Sequence, residues 1–333
     1  RNELIAVAAP CETVGVGSIR PPGGPMAHDG KIRFGLFSPQ SGMPFEALLQ
    51  RAQLCERLGY HSIWLDDHMW TRAMPELDHL DVIPTLAALA TQTQRLRLGT
   101  LVICYAYRNP AMLAKALCSI DQISKGRLDV GLGIGWMREE FQAYGFEYPK
   151  VGARLRQLEE TLQVLKAMFT EPKATFKGRS FSVTDAYNNP KPVQKPHPPI
   201  TIGGAGKKVM LRIVAKYADR WNIPGGYPDI ADLTAILKGH CAAVGRDFSQ
   251  IEISEQLLVV MGTSAEDVER KWQFAGRMKP FSTTAIKGTP PELIAALKDR
   301  VAKGVTTFVV FFSDGTPPQT VETFAKEVMP AFA

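Results

Sequence analysis

The chain has 333 residues, 45% of them hydrophobic and 22% charged, with a net charge of +6. That mixture supplies a large core and excludes a disordered chain, and no stretch is long and apolar enough to span a bilayer as a helix. The Lys and Arg are scattered and no nucleic-acid motif accompanies them, so the excess suits an acidic small molecule or a merely soluble basic surface.

Residues 1–30 lack periodicity and contain the loop-forming run Arg20-Pro-Pro-Gly-Gly-Pro25. They are expected to be a flexible tail, or to precede a natural start at Met26. From residue 31 to 333 a single domain is expected, in which short apolar strands alternate with amphipathic helices. Strands are predicted at Ile32–Ser38, Ser62–Leu65, Leu96–Ile103, Leu128–Ile134, Ile200–Ile202, Arg220–Ile223, Ile251–Met261 and Thr306–Phe312. Helices are predicted between them. Gly59 supplies a stop for Phe45–Leu58, and Asn109-Pro110 a start for the helix that runs to Ile123. Lys207–Ala218 is predicted as the helix after the fifth strand, and Lys173–Thr184 as a hairpin turning at Gly178. Eight strands, each followed by a helix, point to a parallel (β/α)₈ TIM barrel, with an open doubly wound sheet as the alternative. The long stretch 140–198 between strands four and five reads as an insertion shaping the mouth.

In such a barrel, function sits just after the strands. Strand two ends in Asp66-Asp67-His68-Met69-Trp70, where alternation keeps the three polar groups from converging. His68 is the candidate proton donor, because imidazole titrates near neutral pH, and Asp67 or Asp66 would orient it or cap backbone amides. Strand four runs into Gly131-Leu-Gly-Ile-Gly-Trp136, which fails the dinucleotide fingerprint because Trp136 occupies the third glycine position. Those glycines permit close approach by a flat ligand or by neighbouring strands. Gly203-Gly-Ala-Gly-Lys-Lys208 offers bare amides at a helix start, suited to a phosphate or to tight packing. Trp70, Tyr105, Tyr107 and Trp136 are candidate walls of an apolar substrate pocket, with Lys279 and Lys287 as spare cations at its rim. Tyr105 and Tyr107 could instead pack beneath the next helix. No metal site is expected from the six histidines. The five cysteines form neither zinc spacing nor a disulfide framework, so reduced thiols and a cytoplasmic setting are expected.

Several blocks resemble the luciferase-like flavin and deazaflavin enzymes. They are Ser62-Ile-Trp-Leu-Asp-Asp-His68, Arg95-Leu-Arg-Leu-Gly-Thr100, Arg108-Asn-Pro-Ala111 and Ser124 to Trp136, followed by Pro196 to Gly204, Tyr217 to Asn222 and Gly288 to Glu292. Within that family the chain looks most like the deazaflavin (coenzyme F420)-dependent oxidoreductases. The resemblance implies a cofactor ring across the barrel mouth, faced by Asp67 and His68. It implies further contacts from Leu101, Val102, Cys104, Gly133, Gly135 and Trp136, and a phosphate at Gly203, Gly204, Ala205 and Gly206. It also implies a cis peptide at Leu101–Val102. Trp136 and Cys104 depart from the residues that sugar-phosphate dehydrogenases of the family carry, which argues against such a substrate. The implied function is hydride transfer between F420 and a small organic substrate. The alternatives are an FMN-dependent monooxygenase and a non-catalytic flavin-binding relative. The expected partner is a small molecule, with no nucleic acid or membrane, and a homodimer is the candidate assembly.

Overall fold

The computed structural model describes residues 30–333 apart from Ala73, so the expectations for residues 1–29, Met26 included, lie outside the described residues. The chain runs β1 (Arg33–Phe37), α1 (Phe45–Leu58), β2 (Ser62–Leu65), α2 (Val82–Gln92), β3 (Arg97–Thr100), β4 (Ile103–Cys104), α3 (Pro110–Ile123), β5 (Leu128–Gly133), α4 (Arg138–Ala143) and α5 (Val151–Thr170). It continues through β6 (Ala174–Lys177), β7 (Ser182–Ala186), β8 (Ile200–Gly203), α6 (Met210–Tyr217), β9 (Arg220–Ile223), α7 (Ile230–Ala243), β10 (Glu252–Met261), α8 (Ala265–Ala275), β11 (Ile286–Gly288), α9 (Pro290–Ala302), β12 (Thr307–Phe312) and α10 (Pro318–Thr323). Parallel pairing in the order β1-β2-β3-β5-β8-β9-β10-β12, with β12 returning to β1, closes the predicted eight-stranded barrel.

Local chemistry explains the element ends. Gly59 takes φ 83° after α1, a conformation that costs a residue without Cβ little. Asn109 accepts the amides of Ala111 and Met112 at the start of α3, where Pro110 occupies the first turn. The third strand is not continuous as predicted. It breaks at a cis peptide between Leu101 and Val102, the bond the resemblance indicates, and resumes as β4.

The barrel interior is charged at its N-terminal end. Asp129 lies 2.7 Å from Arg97 and 3.2 Å from Arg220, which also binds Glu252 at 2.8 Å. Above this layer the Trp64 indole fills the centre. A Cβ on Gly99 would stand 2.3 Å from that ring, so glycine there makes room for it. Higher still, Phe37, Leu101, Leu258, Val309 and Phe311 form an apolar cluster.

The 140–198 stretch does not act as one roof. Residues 134–150 stay at the mouth, but the β6–β7 hairpin and residues 187–198 turn to the opposite end. Gln194 Nε2 donates to the Leu128 carbonyl at the base of β5 (2.8 Å), and Arg97 donates to Gln194 Oε1 (3.1 Å). A covering for the mouth comes from elsewhere. α8 and the segment after it, which read as ordinary barrel text, place Trp272, Ala275, Met278 and Phe281 on the Phe37–Leu101–Phe311 cluster. β11, which was not predicted, pairs with the upper half of β10, and α9 serves as that unit's outer helix.

No helix among the described residues is long and apolar enough to cross a membrane. Cys55, Cys104, Cys118 and Cys241 are all free and buried.

Candidate active site

Three adjacent residues leave β2 toward the mouth, and the structure gives each a different partner. Asp66 Oδ1 lies 3.2 Å from His79 Nε2, and His79 Nδ1 lies 2.9 Å from Ser41 Oγ. Asp67 is buried. Both its oxygens accept from Arg108 Nη1 at 2.8 Å, and Oδ2 also accepts the Cys104 amide at 3.0 Å. Asp67 therefore braces the β2 end against β4 and α3, and does not share the mouth with His68 as the resemblance implies. His68 keeps 24% side-chain exposure at the mouth.

The partner of His68 is Glu140 on α4, which the sequence reading missed. His68 Nδ1 lies 2.9 Å from Glu140 Oε2. Glu140 is 0% exposed and also accepts the Met69 amide (2.6 Å) and the Tyr107 hydroxyl (2.8 Å). Burial alone would pull the imidazole down. The bond to Glu140 and the charges of Asp66, Glu140 and Asp67 outweigh it and hold His68 above its ordinary value. For Glu140 burial pushes upward, and the bond and charge of His68 with the Met69 and Tyr107 bonds hold the carboxyl below its ordinary value. Nothing in the sequence separates Glu140 from Glu139. The latter is exposed and pairs with Arg72.

The predicted pocket aromatics divide. Trp136 is 59% exposed, and its ring meets His68 edge-on at 5.4 Å, so it stands at the rim rather than in the core. Trp70 stacks on Tyr144 at 5.7 Å. Tyr105 and Tyr107 are not pocket walls. Tyr105 is buried and donates to Gln157 on α5 at 2.6 Å, while Tyr107 packs on Phe141 and Phe146 behind the dyad. Lys287 is no spare cation, because it lies 4.7 Å over the Trp272 ring and 3.4 Å from Glu269.

The implied cofactor contacts also divide. Val102 projects between β5 and β8. A Cβ on Gly133 would stand 2.5 Å from its Cγ2, and one on Gly203 would stand 3.2 Å from its Cγ1. Leu101 joins the apolar cluster beside it. Cys104 and Gly135 sit beneath α4. A Cβ on Gly135 would meet Cys104 Sγ and Phe141, both at 2.7 Å. Burial pushes the Cys104 thiol up to about 12, so it stays protonated.

At the end of β8 the predicted helix start is delayed to Met210. Gly204 has φ 140°, donates to Asn222 O (3.2 Å) and accepts from Trp221 Nε1 (2.8 Å). The amides of Ala205, Gly206, Lys207, Lys208 and Val209 find no acceptor among the described residues. Five free donors in one turn are chemistry that fits a phosphate. The Lys207 ammonium is engaged with Asp232 at 2.7 Å, so the backbone, more than this lysine, offers the anion contacts. Among the described residues no group of three or more His, Cys, Asp or Glu could hold a metal.

A closed barrel with a His–Glu pair and a free amide turn at its C-terminal mouth has a candidate site where enzymes of the TIM-barrel kind carry theirs. The model of the luciferase-like monooxygenase family matches residues 28–300. The chain belongs to that family, and is one of its oxidoreductases. It is 30% identical over 212 residues to an uncharacterized protein of Mycobacterium tuberculosis, covering 59% of this chain and 74% of that protein. It is 30% identical over 177 residues to the F420-dependent glucose-6-phosphate dehydrogenase of Amycolatopsis mediterranei, covering 52% and 50%. The FMNH2-dependent dimethylsulfone monooxygenase of Pseudomonas putida is 29% identical over 200 residues, covering 58% and 54%. Among solved structures, an F420-dependent secondary alcohol dehydrogenase in complex with an F420–acetone adduct superposes with a TM-score of 0.79 at 20% identity, over 91% of this chain and 99% of that one. That likeness carries the fold.

Proposed function

We propose that the protein transfers a hydride between coenzyme F420 and a small organic substrate at the barrel mouth. The observation that carries this reading is the His68–Glu140 pair. It is a titratable group at the mouth, fixed from behind at 2.9 Å by a buried carboxylate. When bound, F420 supplies or accepts a hydride at one ring carbon, so the matching proton must be handled by the protein. His68 is placed to hold that proton. Val102, wedged between Gly133 and Gly203, offers a floor for the ring, and the free amides of residues 205–209 offer the phosphate contacts. Relatives with F420 in their names support the choice of cofactor. Trp136 and Trp70 give the substrate side an aromatic surface, which favours an apolar organic molecule.

An FMN-dependent monooxygenase is the second reading, favoured by the dimethylsulfone monooxygenase relative. The amide turn serves either phosphate. Oxygen separates the two chemistries. Reduced F420 and an organic acceptor should turn over in the absence of dioxygen, whereas a monooxygenase stops without it. The buried free cysteines support a reducing, cytoplasmic setting.

A further inference from the structure

We infer that the substrate is an elongated, uncharged apolar molecule that reacts at one end, and that its body lies outside the barrel on an aromatic ledge made by Trp136, Trp70 and Tyr144. This rests on the hydride-transfer reading and adds to it a substrate shape and the surface that selects it.

The mouth is roofed on one side. The segment after α8 seats Met278 and Phe281 on the Phe37–Leu101–Phe311 cluster. The loop after β9 closes against that segment. A Cβ on Gly225 would stand 2.5 Å from the Phe281 ring and one on Gly226 would stand 2.8 Å from Pro280, and the Gly226 amide donates to Thr284 Oγ1 at 2.8 Å. The way to His68 that stays clear of this roof and of the free amide turn runs over the ends of β2 and β5, where Trp70 and Trp136 stand.

Trp136 is held outward by its backbone. Gly135 takes φ 67°, and a Cβ there would collide with Cys104 and Phe141. The Gly135 carbonyl accepts from the buried Arg154 at 2.5 Å, and the Trp136 carbonyl accepts from the Tyr148 hydroxyl at 3.2 Å. The Arg154 guanidinium lies 4.2 Å over the Tyr148 ring and ties these bonds together. The indole is therefore 59% exposed on a fixed backbone, with its ring centre 5.4 Å from that of His68. An apolar side chain presented in this way is a preorganised contact beside the reacting atoms.

The apolar surface continues past it. Trp136 precedes α4 and Tyr144 caps it, 54% exposed and stacked on Trp70 at 5.7 Å. α4 has six residues, so the two aromatic platforms stand about one helix length of ~9 Å apart. The cation on this surface is neutralised, because Arg72, 5.5 Å over the Trp136 ring, pairs with Glu139 of α4. A compact substrate would touch Trp136 alone. An elongated uncharged one reaches Trp70 and Tyr144 as well.

The test uses a series of methyl ketones, 2-butanone to 2-decanone, titrated into F420-loaded and into cofactor-free protein. The indole N–H signals of Trp136 and Trp70 report seating by NMR. The dissociation constant should fall about twofold for each added methylene, less than the roughly fourfold of full burial, because a ledge covers one side of a chain. Trp136→Ala should flatten the series, weakening 2-octanone relative to 2-butanone by about tenfold. Tyr144→Ala should flatten only its longer members. Both side chains are exposed, and unchanged melting temperatures would confirm that the variants fold. Affinity that does not depend on chain length overturns the inference, as does a slope that survives both substitutions. So does a wild-type dimer that Trp136→Ala splits in sedimentation, because the ledge would then cover a second copy. Failure of F420 to bind, with the ketones still graded by length in cofactor-free protein, overturns the hydride-transfer reading and leaves the ledge in place.

Discussion

Thr100 and Gly131 approach so closely that the Thr100 carbonyl oxygen lies 1.8 Å from the point where a Cβ on Gly131 would stand. The Thr100 hydroxyl accepts the Gly131 amide at 2.8 Å and donates to its carbonyl at 2.9 Å. This contact sets β5 against the end of β3, one residue before the cis Leu101–Val102 peptide. Gly131→Ala should therefore push the two strands apart and cost about 1–3 kcal/mol. The melting temperature should fall by about 2–4 °C for each kcal/mol lost. A variant that melts with the wild type would show that the strands separate freely, contrary to this contact.

Removing His68 should cost stability in a pH-dependent way. The folded value of His68 lies above its ordinary 6.5, so its contribution is complete below that value and fades as pH rises through the raised one. Glu140 lies below its ordinary 4.5, so its contribution is present above that value and fades as pH falls through the depressed one. Between these limits His68→Ala strips the charge partner from a buried carboxylate. Calorimetry should find a wider gap between wild type and variant at pH 6 than at pH 9. A gap that does not change with pH contradicts the pairing.

Arg108 should matter more to stability than its place at a loop suggests. It satisfies both oxygens of the buried Asp67 carboxylate. Arg108→Ala should cost about 3–5 kcal/mol, and Arg108→Lys less, because a lysine keeps the charge but loses the planar fork. Urea unfolding of both variants measures this, and equal losses would argue against the geometry.

The amide turn is testable at Gly206, where a Cβ would meet only Met210 Cβ, at 3.3 Å. Gly206→Val should cover the free amides and weaken cofactor binding by about tenfold or more, equivalent to ~1.4 kcal/mol, with little change in melting temperature. Gly204 is a poorer probe, since φ 140° penalises any side chain there. Unchanged affinity in folded Gly206→Val would place the phosphate elsewhere.

Much of the barrel was legible because it is written locally. The Asn109-Pro110 start, the Gly59 stop and the hairpin turning at Gly178 each arise from neighbouring residues, and all appear in the structure. The parts that were not legible depend on contacts far apart in sequence. α8 has the same amphipathic text as an outer helix, yet Ala275 packs over the mouth. The stretch 140–198 splits between the two ends because Gln194 finds Leu128 and Asp121. At the site, His68 was visible from its place after β2, but Glu140 was not. Tyr105 and Tyr107 come after a strand end as pocket residues do, and only the partners Gln157 and Glu140 reveal that they face away.

The sharpest test of F420-dependent hydride transfer is binding of the cofactor itself. Cofactor-free protein titrated into F420, and separately into FMN, can be followed by the fluorescence of each cofactor. Saturable binding of F420 is predicted, tighter than that of FMN by about tenfold or more, equivalent to ~1.4 kcal/mol. Tight binding of FMN with no binding of F420 would contradict it.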